Sequence, residues 1–389
     1  MAGTSVKQER RLAILITHLG PGGAERVSAD LAGDFAQSGW SVTIITLDQS
    51  VPDFYPLIPS VSRISLPGGM PSGNPLTAIL NNISRFRALR RTLRSLRSDV
   101  LLGMTSQCAV LAILVSIGLP NTAVAAERNY PSRLRIPRAW HCLRKTLYRH
   151  AAAVVVQSDS ARQWIRHYTG AENIAVIPNP ISLPLPSHAA GLSPDDCVDP
   201  SRPVLLAVGR LTPQKGFAQL IEAFGQLHQM FPEWTLVIVG EGPQRDALRK
   251  MADAHGLGQY VLMPGTTGNI ARWYRRAEIF VLSSAFEGFP NVLLEAMAHG
   301  KAVVSFNCQT GPNELIDHGR NGLLVEPVGD PTNLAKALAS LMSSPEHRES
   351  LGAAAVEVLD RYRREHVVER WQQALNGVFP PENSKESSG

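Results

Sequence analysis

The chain has 389 residues, of which 44% are hydrophobic and 18% charged, a balance typical of a globular protein with a sizeable core. This length suits two domains of ordinary size. The four cysteines show no metal-ligand spacing, which argues against a zinc site or a disulfide framework and favours a reducing compartment. The most apolar stretch, residues 109–119, is about half the length that spans a bilayer, so we expect no transmembrane helix.

Basic side chains are concentrated in the first half. Residues 1–200 contain 20 Lys and Arg against 13 Asp and Glu, whereas residues 201–389 contain 18 against 20. Residues 82–149 alone carry 13 basic and two acidic side chains. The first half is therefore expected to meet an anionic partner.

The first predicted strand, residues 12–16, runs into a glycine-rich turn at residues 18–26. Such a turn lets the backbone approach a ligand closely. It is not G-x-G-x-x-G, and no acidic residue ends the next strand, at residues 41–47, as dinucleotide binding would require. An ordinary tight turn remains the alternative to a ligand-binding role.

Residues 78–96 predict an amphipathic helix with arginines in and just after it and no acidic residue. These arginines are Arg85, Arg87, Arg90, Arg91, Arg94 and Arg97. A solvated helix face usually mixes both signs of charge. The pattern therefore favours contact with anionic lipid headgroups or with a pyrophosphate.

A predicted strand at residues 122–126 ends in Glu127-Arg128-Asn129-Tyr130-Pro131, at the edge where open α/β sheets bind ligands. The segment that follows carries six basic residues: Arg133, Arg135, Arg138, Arg144, Lys145 and Arg149. A nucleic-acid surface is the less favoured interpretation, because aromatic residues are few and no base-reading motif is present. We predict a second membrane-facing patch.

The second half repeats the alternation of strands and helices after a proline-rich boundary that ends near residue 203. Predicted strands occupy residues 204–208, 236–239, 261–263, 279–282 and 302–305, with helices between them. This rhythm predicts a parallel sheet covered on both faces. A last helix is predicted at residues 366–379, followed by a polar, disordered end.

The most informative stretch begins with the strand at residues 279–282 and continues through a turn into a helix. Glu287 lies in the turn and Glu295 about two helical turns further on. Such a turn leaves the amides near Asn291, Val292 and Leu293 without partners inside the helix. Those donors and the helix dipole suit a phosphate.

Glu287 and Glu295, in the setting Glu-Gly-Phe-Pro-Asn-Val-Leu-Leu-Glu, resemble the E-x7-E motif of retaining glycosyltransferases of family 4. The resemblance implies the GT-B fold: two Rossmann-like α/β domains with parallel sheets facing across a cleft. It also implies that Glu287 faces the donor sugar and that Glu295 bonds the nucleotide ribose. The loop Gly209-Arg210…Lys215-Gly216 resembles the family's G-R-x-x-x-x-K-G element, which stabilises the leaving nucleoside diphosphate.

Residues 264–270 resemble the family's base-binding loop, and Gly-Gly-Ala-Glu-Arg at residues 22–26 resembles its first loop. The catalytic residues implied are Glu287, Arg210 and Lys215. The donor-binding residues implied are Gly22, Gly23, Gly209, Arg210, Lys215, Pro264, Gly265, Asn269, Glu287, Gly288, Phe289, Pro290, Asn291, Val292, Leu293 and Glu295. Expected acceptor- or membrane-binding residues are Arg128, Arg87, Arg90, Arg91 and Arg94.

Glu127-Arg128-Asn129-Tyr130-Pro131 resembles the branch that adds N-acetylgalactosamine or related sugars to polyprenyl-diphosphate-linked glycans. The domains implied are an N-terminal acceptor- and membrane-facing domain at residues 1–185 and a nucleotide-sugar domain at 200–360. A helix at residues 361–380 would return to the first domain, before a disordered tail at 381–389.

The expected function is transfer of a hexose or N-acetylhexosamine from a UDP-sugar to such a glycan, in synthesis of cell-surface polysaccharide or glycoconjugate. The alternatives are a transferase with a soluble sugar acceptor and a UDP-sugar epimerase. No D-x-D motif occurs, so no metal or other cofactor is expected. The expected partners are the nucleotide sugar, the polyprenyl-diphosphate acceptor and the anionic cytoplasmic face of a membrane, with peripheral association and no nucleic acid.

Overall fold

The computed structural model describes residues 10–20, 22–66, 75–132, 136–181, 183–185, 187 and 192–379, and for residues 75–82 it describes the backbone only. The described residues divide into two compact units, with boundaries between Asn179 and Pro180 and between Arg364 and Glu365. Each unit is an α/β domain with a parallel sheet, as the alternation of strands and helices predicts. The predicted tail at residues 381–389 lies outside the described residues.

The first unit contains a seven-stranded parallel sheet in the order β3-β2-β1-β4-β5-β6-β7. Its strands are β1 (Arg11–Ile16), β2 (Ser41–Thr46), β3 (Val61–Ser65), β4 (Val100–Gly103), β5 (Thr122–Ala126), β6 (Ala153–Val156) and β7 (Ile174–Val176). Its helices before the unit boundary are α1 (Gly23–Gln37), α2 (Pro75–Leu96), α3 (Ser106–Ser116), α4 (Arg138–Leu147) and α5 (Asp159–Thr169). The central strands are runs of apolar residues because helices cover both faces of the sheet.

The second unit contains a six-stranded parallel sheet in the order β10-β9-β8-β11-β12-β13. Its strands are β8 (Val204–Val208), β9 (Thr235–Val239), β10 (Val261–Gly265), β11 (Ile279–Leu282), β12 (Ala302–Phe306) and β13 (Leu323–Val325). Its helices are α6 (Pro194–Cys197), α7 (Phe217–Leu227), α8 (Arg245–Ala254), α9 (Ile270–Arg276), α10 (Asn291–Ala298), α11 (Pro312–Leu315), α12 (Pro331–Met342), α13 (Pro345–Ala355) and α14 (Val358–Arg361).

The last helix, α15 (Arg364–Asn376), belongs to the core of the first unit. Its residues Val367, Trp371 and Leu375 are at most 1% exposed and pack with apolar residues of β1, β4 and β5. Their spacing of four places them on one face of the helix. The chain thus supplies the first unit with a helix that follows the second unit in sequence.

Candidate active site

The second sheet positions its site through the order of its strands. The chain builds outward from β8 to β10 and then returns to place β11 on the other side of β8. Open α/β sheets bind ligands at such a reversal, because the loops beyond the carboxyl ends of the two neighbouring strands diverge there. Here those loops are residues 209–216 after β8 and residues 283–290 after β11.

Glu287 is the centre of this site. Its Oε1 lies 2.6 Å from Lys215 Nζ and accepts a hydrogen bond of 2.6 Å from Ser284 Oγ. The Glu287 side chain is 7% exposed and that of Lys215 20%. Burial strengthens such a charge-assisted contact and makes loss of either partner unfavourable. The structure therefore brings together two of the three predicted catalytic residues.

The two loops are joined by contacts that the sequence analysis missed. The Ala285 amide donates to the Gln214 carbonyl oxygen at 2.8 Å, and Gln214 Nε2 donates to the Phe286 carbonyl oxygen at 2.9 Å. Gly216, at φ +64°, follows Lys215, and a Cβ there would lie 2.0 Å from the carbonyl oxygen of Ser283. The loops approach this closely only because residue 216 has no side chain.

A third segment, after β12, supports Glu287 from its backbone. Thr310 Oγ1 donates to the Glu287 carbonyl oxygen, and Thr310 is 1% exposed. Nearby Cys308 is also buried, and burial, followed by the charge of Glu287, raises the pKa of its thiol to about 12. Cys308 is therefore a neutral thiol at physiological pH.

Glu295, on α10, is 3% exposed, and its Oε2 accepts a hydrogen bond of 2.8 Å from Tyr274 OH. His299 Nδ1 lies 2.7 Å from the Glu295 carbonyl oxygen. Glu287 and Glu295 thus have different partners, and the predicted ribose contact of Glu295 stays a prediction. Tyr274 supports Glu295 but was not predicted as a site residue, because its only signal was an aromatic residue in a predicted helix.

At the start of α10, two of the three amides predicted to bind an anion already have hydrogen-bond partners. The Asn291 amide donates to Phe289 and the Leu293 amide to Pro290, both to carbonyl oxygens at 3.0 Å, because the first turn is tight. In the part of the chain that the structure describes, the Val292 amide has no hydrogen-bond partner. Of the three predicted anion-binding amides, Val292 is thus the one still available, while Gly288 and Pro290 complete the turn.

The remaining donor-site predictions lie on neighbouring loops of the second unit. Arg210 is exposed, and its side chain has no ion pair or hydrogen bond among residues 192–379 or elsewhere in the described ranges. Pro264 and Gly265 end β10, next to β9, and Asn269 directly precedes α9. Glu241, after β9, forms a 2.5 Å ion pair with Arg245, a pair that the sequence analysis did not identify.

Gly22 and Gly23 lie in the first unit, at the start of α1 beyond the carboxyl end of β1. Gly22 has extended backbone, and Glu25 lies in the first turn of the helix. His18 Nδ1 is 3.7 Å from Glu25 Oε1 and accepts a 3.1 Å hydrogen bond from the Gly20 amide. The glycine-rich turn therefore has a polar lining of its own.

Arg128 follows β5 and differs from the other predicted acceptor residues. Its Nη2 donates to Asn179 Oδ1, and its guanidinium lies 5.9 Å from the centre of the Trp371 ring. Nε and Nη1 are shielded from solvent and have no partner among the described residues. Burial lowers the pKa of Arg128 to about 9, so the group still carries its charge at neutral pH. Arg128 is half-buried, and its predicted role in binding the acceptor or a membrane stays a prediction.

Arg144 does not belong to the second predicted membrane-facing patch. It is fully buried, with Nη1 3.5 Å from Glu127 Oε1 and Nη2 donating to the Pro131 carbonyl oxygen at 3.1 Å. Glu127 also accepts hydrogen bonds from Tyr148 OH at 2.6 Å and Ser106 Oγ at 2.5 Å. Burial and the charge of Glu127 raise the pKa of Tyr148 well above its ordinary value. This cluster is a structural ion pair inside the first unit.

On α2 the structure separates the predicted arginines. Arg87, Arg91 and Arg94 are exposed and, at spacings of four and three, share one face of the helix. Arg90 does not belong to that face: its Nη1 donates to the carbonyl oxygens of Val115 at 2.9 Å and Ile117 at 2.7 Å. Arg90 thus binds the carboxyl end of α3.

No group of three or more His, Cys, Asp or Glu residues in the described ranges is placed to hold a metal ion. No helix in them is long and apolar enough to cross a bilayer.

Two family models match the chain. Residues 21–184 match the glycosyltransferase family 4 model, and residues 197–358 match the model of glycosyl transferases group 1. The chain is 26% identical over 369 residues to an uncharacterized glycosyltransferase from Haemophilus influenzae, covering 94% of this chain and all of that one. It is also 26% identical, over 95% of this chain and 99% of the other, to a Campylobacter jejuni α-1,4-N-acetyl-D-galactosaminyltransferase whose name specifies a PP-undecaprenol-linked glycan.

Solved structures are similar over nearly the whole chain. Sucrose-phosphate synthase from Thermosynechococcus elongatus superposes with a TM-score of 0.82 at 20% identity, covering 95% of this chain and 99% of that one. HepE from Anabaena, solved with UDP and glucose, superposes with a TM-score of 0.77 at 20% identity, covering 95% and 100%. The chain therefore belongs to the glycosyltransferases, with a family 4 domain followed by a group 1 domain, and it has the GT-B fold that its E-x7-E motif predicts.

Proposed function

We propose that the protein is a metal-independent, retaining glycosyltransferase. It would move a hexose or N-acetylhexosamine from a UDP-sugar to a polyprenyl-diphosphate-linked glycan. The observation that carries the proposal is the buried contact of Glu287 Oε1 with both Lys215 Nζ and Ser284 Oγ, where the second sheet reverses its strand order. A carboxylate and a cation gathered there suit a ligand with both hydroxyl and phosphate groups.

The leaving diphosphate would be neutralised by Arg210 and Lys215. Both follow β8, and Arg210 offers a guanidinium with no side-chain partner in the described residues. The free Val292 amide supplies a further donor at the start of α10. Donors aimed at developing charge stabilise the transition state electrostatically, without a metal ion.

Glu287 would orient the sugar rather than attack it. Its carboxylate is already engaged by Ser284 and Lys215, and a sugar hydroxyl would replace the ammonium group when Lys215 turns to the diphosphate. As departure runs ahead of attack, an oxocarbenium-like sugar forms. The acceptor would attack from the same face, with a donor phosphate oxygen taking its proton, which retains the anomeric configuration.

The acceptor diphosphate would bind Arg128. Arg128 is half-buried and has no carboxylate partner among the described residues, and an anion can accept from its two shielded, unpaired donors, Nε and Nη1. The exposed face formed by Arg87, Arg91 and Arg94 suits an anionic membrane, which supports peripheral association at the cytoplasmic face. The similar Campylobacter enzyme acts on an undecaprenyl-linked glycan by its name, and HepE was solved with UDP.

The test is a panel of UDP-sugars, assayed for UDP release with and without polyprenyl-diphosphate-linked sugars. We expect one UDP-sugar to give release that requires the lipid-linked acceptor and persists in EDTA, with an α-linked product from an α-linked donor. Activity lost in EDTA and restored by manganese would overturn the metal-independent mechanism. Conversion of a UDP-sugar without acceptor would indicate an epimerase, and equal use of free sugars without sedimentation on anionic vesicles would indicate a soluble acceptor.

A further inference from the structure

A second candidate site lies in the first unit and shares Arg94 with the exposed face of α2. A cavity of about 560 Å³ is lined by Arg11 at the start of β1, by Asp99 just before β4 and by Asn121 just before β5. It therefore opens at the amino edge of the sheet. Gly22 and Arg128 follow β1 and β5 and belong to the opposite edge. This volume is within the range of small-molecule sites.

The cavity is strongly basic. Arg11, Arg94 and Arg97 line it, and none of their guanidinium groups forms an ion pair or hydrogen bond with another residue in the described ranges. Its one carboxylate, Asp99, accepts a 2.8 Å hydrogen bond from the backbone amide of Arg11. Three like charges around one cavity repel one another, so an anionic ligand with two charges would be favoured there.

One of these arginines has a backbone conformation that is rare for residues other than glycine. Arg97 follows the last residue of α2 with φ at +49°, the one positive φ of a non-glycine residue in the part of the chain that the structure describes. Glycine is the usual residue at a left-handed helix end, because a side chain is disfavoured in that conformation. A strained residue whose side chain lines a cavity is a candidate for function.

Ser98 supplies an uncharged donor. Its side chain is 5% exposed and lines the cavity, and its Oγ has no hydrogen-bond partner among the described atoms. Buried hydroxyl groups are nearly always paired, so an unpaired one beside three free guanidinium groups indicates a missing acceptor. Phosphate oxygens accept from both kinds of donor.

We propose that this cavity binds the phosphate group of an organic phosphate monoester through Arg11, Arg94, Arg97 and the Ser98 hydroxyl. The cavity is larger than a phosphate ion needs, so the organic part would occupy the space beside Leu93 and Leu119. A soluble phosphate ester and the headgroup of phosphatidic acid share this chemistry. The site is independent of the donor residues and is tested without any transfer assay.

The test measures binding of sn-glycerol 3-phosphate to the whole protein by calorimetry, and sedimentation with phosphatidylcholine vesicles that contain phosphatidic acid. Wild type, Arg97→Gln, Ser98→Ala and the control Arg166→Gln are compared. Arg166 is exposed on α5 and does not line the cavity. Circular dichroism and thermal unfolding of each variant show whether it is folded.

We expect Arg97→Gln to weaken glycerol 3-phosphate binding at least tenfold, Ser98→Ala to weaken it several-fold, and Arg166→Gln to leave it unchanged. If glycerol 3-phosphate also displaces the protein from the vesicles, the ligand is the lipid headgroup. If vesicle binding is absent or indifferent to glycerol 3-phosphate, the ligand is a soluble ester. The proposal is overturned if folded wild type does not bind glycerol 3-phosphate, or if Arg166→Gln weakens binding as much as Arg97→Gln.

Discussion

Lys215 Nζ and Glu287 Oε1 lie 2.6 Å apart although 72 positions separate the two residues in sequence. The cation and the carboxylate therefore neutralise each other. Under the proposed function, a nucleoside diphosphate would compete with Glu287 for Lys215, and its binding would free the carboxylate. Donor binding and preparation of the sugar-facing residue would then be a single event.

Replacing Glu287 by glutamine should lower kcat for sugar transfer by roughly 10²–10³-fold, as loss of one preorganised polar group in a buried site does. Gln keeps the size of the side chain and can still accept from Ser284, but it lacks the charge that orients the sugar. Affinity for UDP, measured by calorimetry, should be equal or tighter because Lys215 is released.

The matched control is Glu357→Gln, which removes a carboxylate from an exposed ion pair with Arg320 in the same unit. Its activity should equal that of wild type. Full activity of Glu287→Gln would contradict the assignment of Glu287.

Arg210→Ala should weaken UDP binding, in contrast to Glu287→Gln, because Arg210 is proposed to bind the diphosphate. Each charge-assisted hydrogen bond contributes about 1.5–3 kcal/mol, so UDP should bind roughly 10–150-fold more weakly. Thermal stability should not change, because the Arg210 side chain is exposed and forms no ion pair or hydrogen bond with a described residue. Lys250→Ala removes an exposed cation from α8 and serves as the control in the same calorimetric titration. Equal affinities in Arg210→Ala and wild type would remove Arg210 from the donor site.

Gly216→Ala tests whether the two site loops require close approach. Gly216 and Gly319 both have positive φ, but only Gly216 would place a Cβ against backbone, 2.0 Å from the Ser283 carbonyl oxygen, whereas Gly319 faces open space. We expect Gly319→Ala to lower the free energy of unfolding by about 1–2 kcal/mol. Gly216→Ala should lower it by roughly 2–5 kcal/mol, since overpacking adds to the backbone strain. Similar urea unfolding curves for the two variants would contradict the contact.

Arg128 and Arg144 of the first unit should respond in opposite ways to replacement by methionine. Arg128→Met removes a half-buried cation with two shielded, unpaired donors, and Asn179 Oδ1 keeps the 2.9 Å hydrogen bond from Gln157 Nε2, so stability should rise by about 1–3 kcal/mol. Arg144→Met leaves the Glu127 carboxylate without its cation and should lower stability by about 3–5 kcal/mol. Urea unfolding measures both changes.

The same Arg128→Met variant separates stability from function. KM for a polyprenyl-diphosphate acceptor should rise while affinity for UDP stays that of wild type. A variant that is both less stable and unchanged in its KM for the acceptor would show that Arg128 has a structural role.

The sequence predicted the sheets well because their strands are uninterrupted apolar runs. Residues 279–282 and 204–208 were predicted with the observed bounds, since a parallel strand buried on both faces needs no alternation. Helix ends were less predictable. The apolar stretch that begins at residue 109 does not mark the start of α3, which lies at Ser106 because Thr105 Oγ1 accepts from the Cys108 amide.

Side-chain environment was harder to predict than secondary structure. Arg144 has exposed arginines as its neighbours in sequence. Its burial depends on an ion pair with Glu127, which directly follows β5. Arg90 likewise depends on carbonyl oxygens at the end of α3. Lys215 and Glu287 were each recognised from local motifs, but their contact follows from the placement of β11 beside β8, which local sequence does not specify.

The cysteines allow chemical labelling of the intact protein. Cys308 is buried near Glu287 with its thiol held in the protonated form, Cys108 is buried as well, and Cys142 is exposed on α4. A maleimide fluorophore should therefore attach first at Cys142 and leave the surroundings of Glu287 chemically intact. The natural sequence thus provides an optical reporter in the first unit without an engineered thiol.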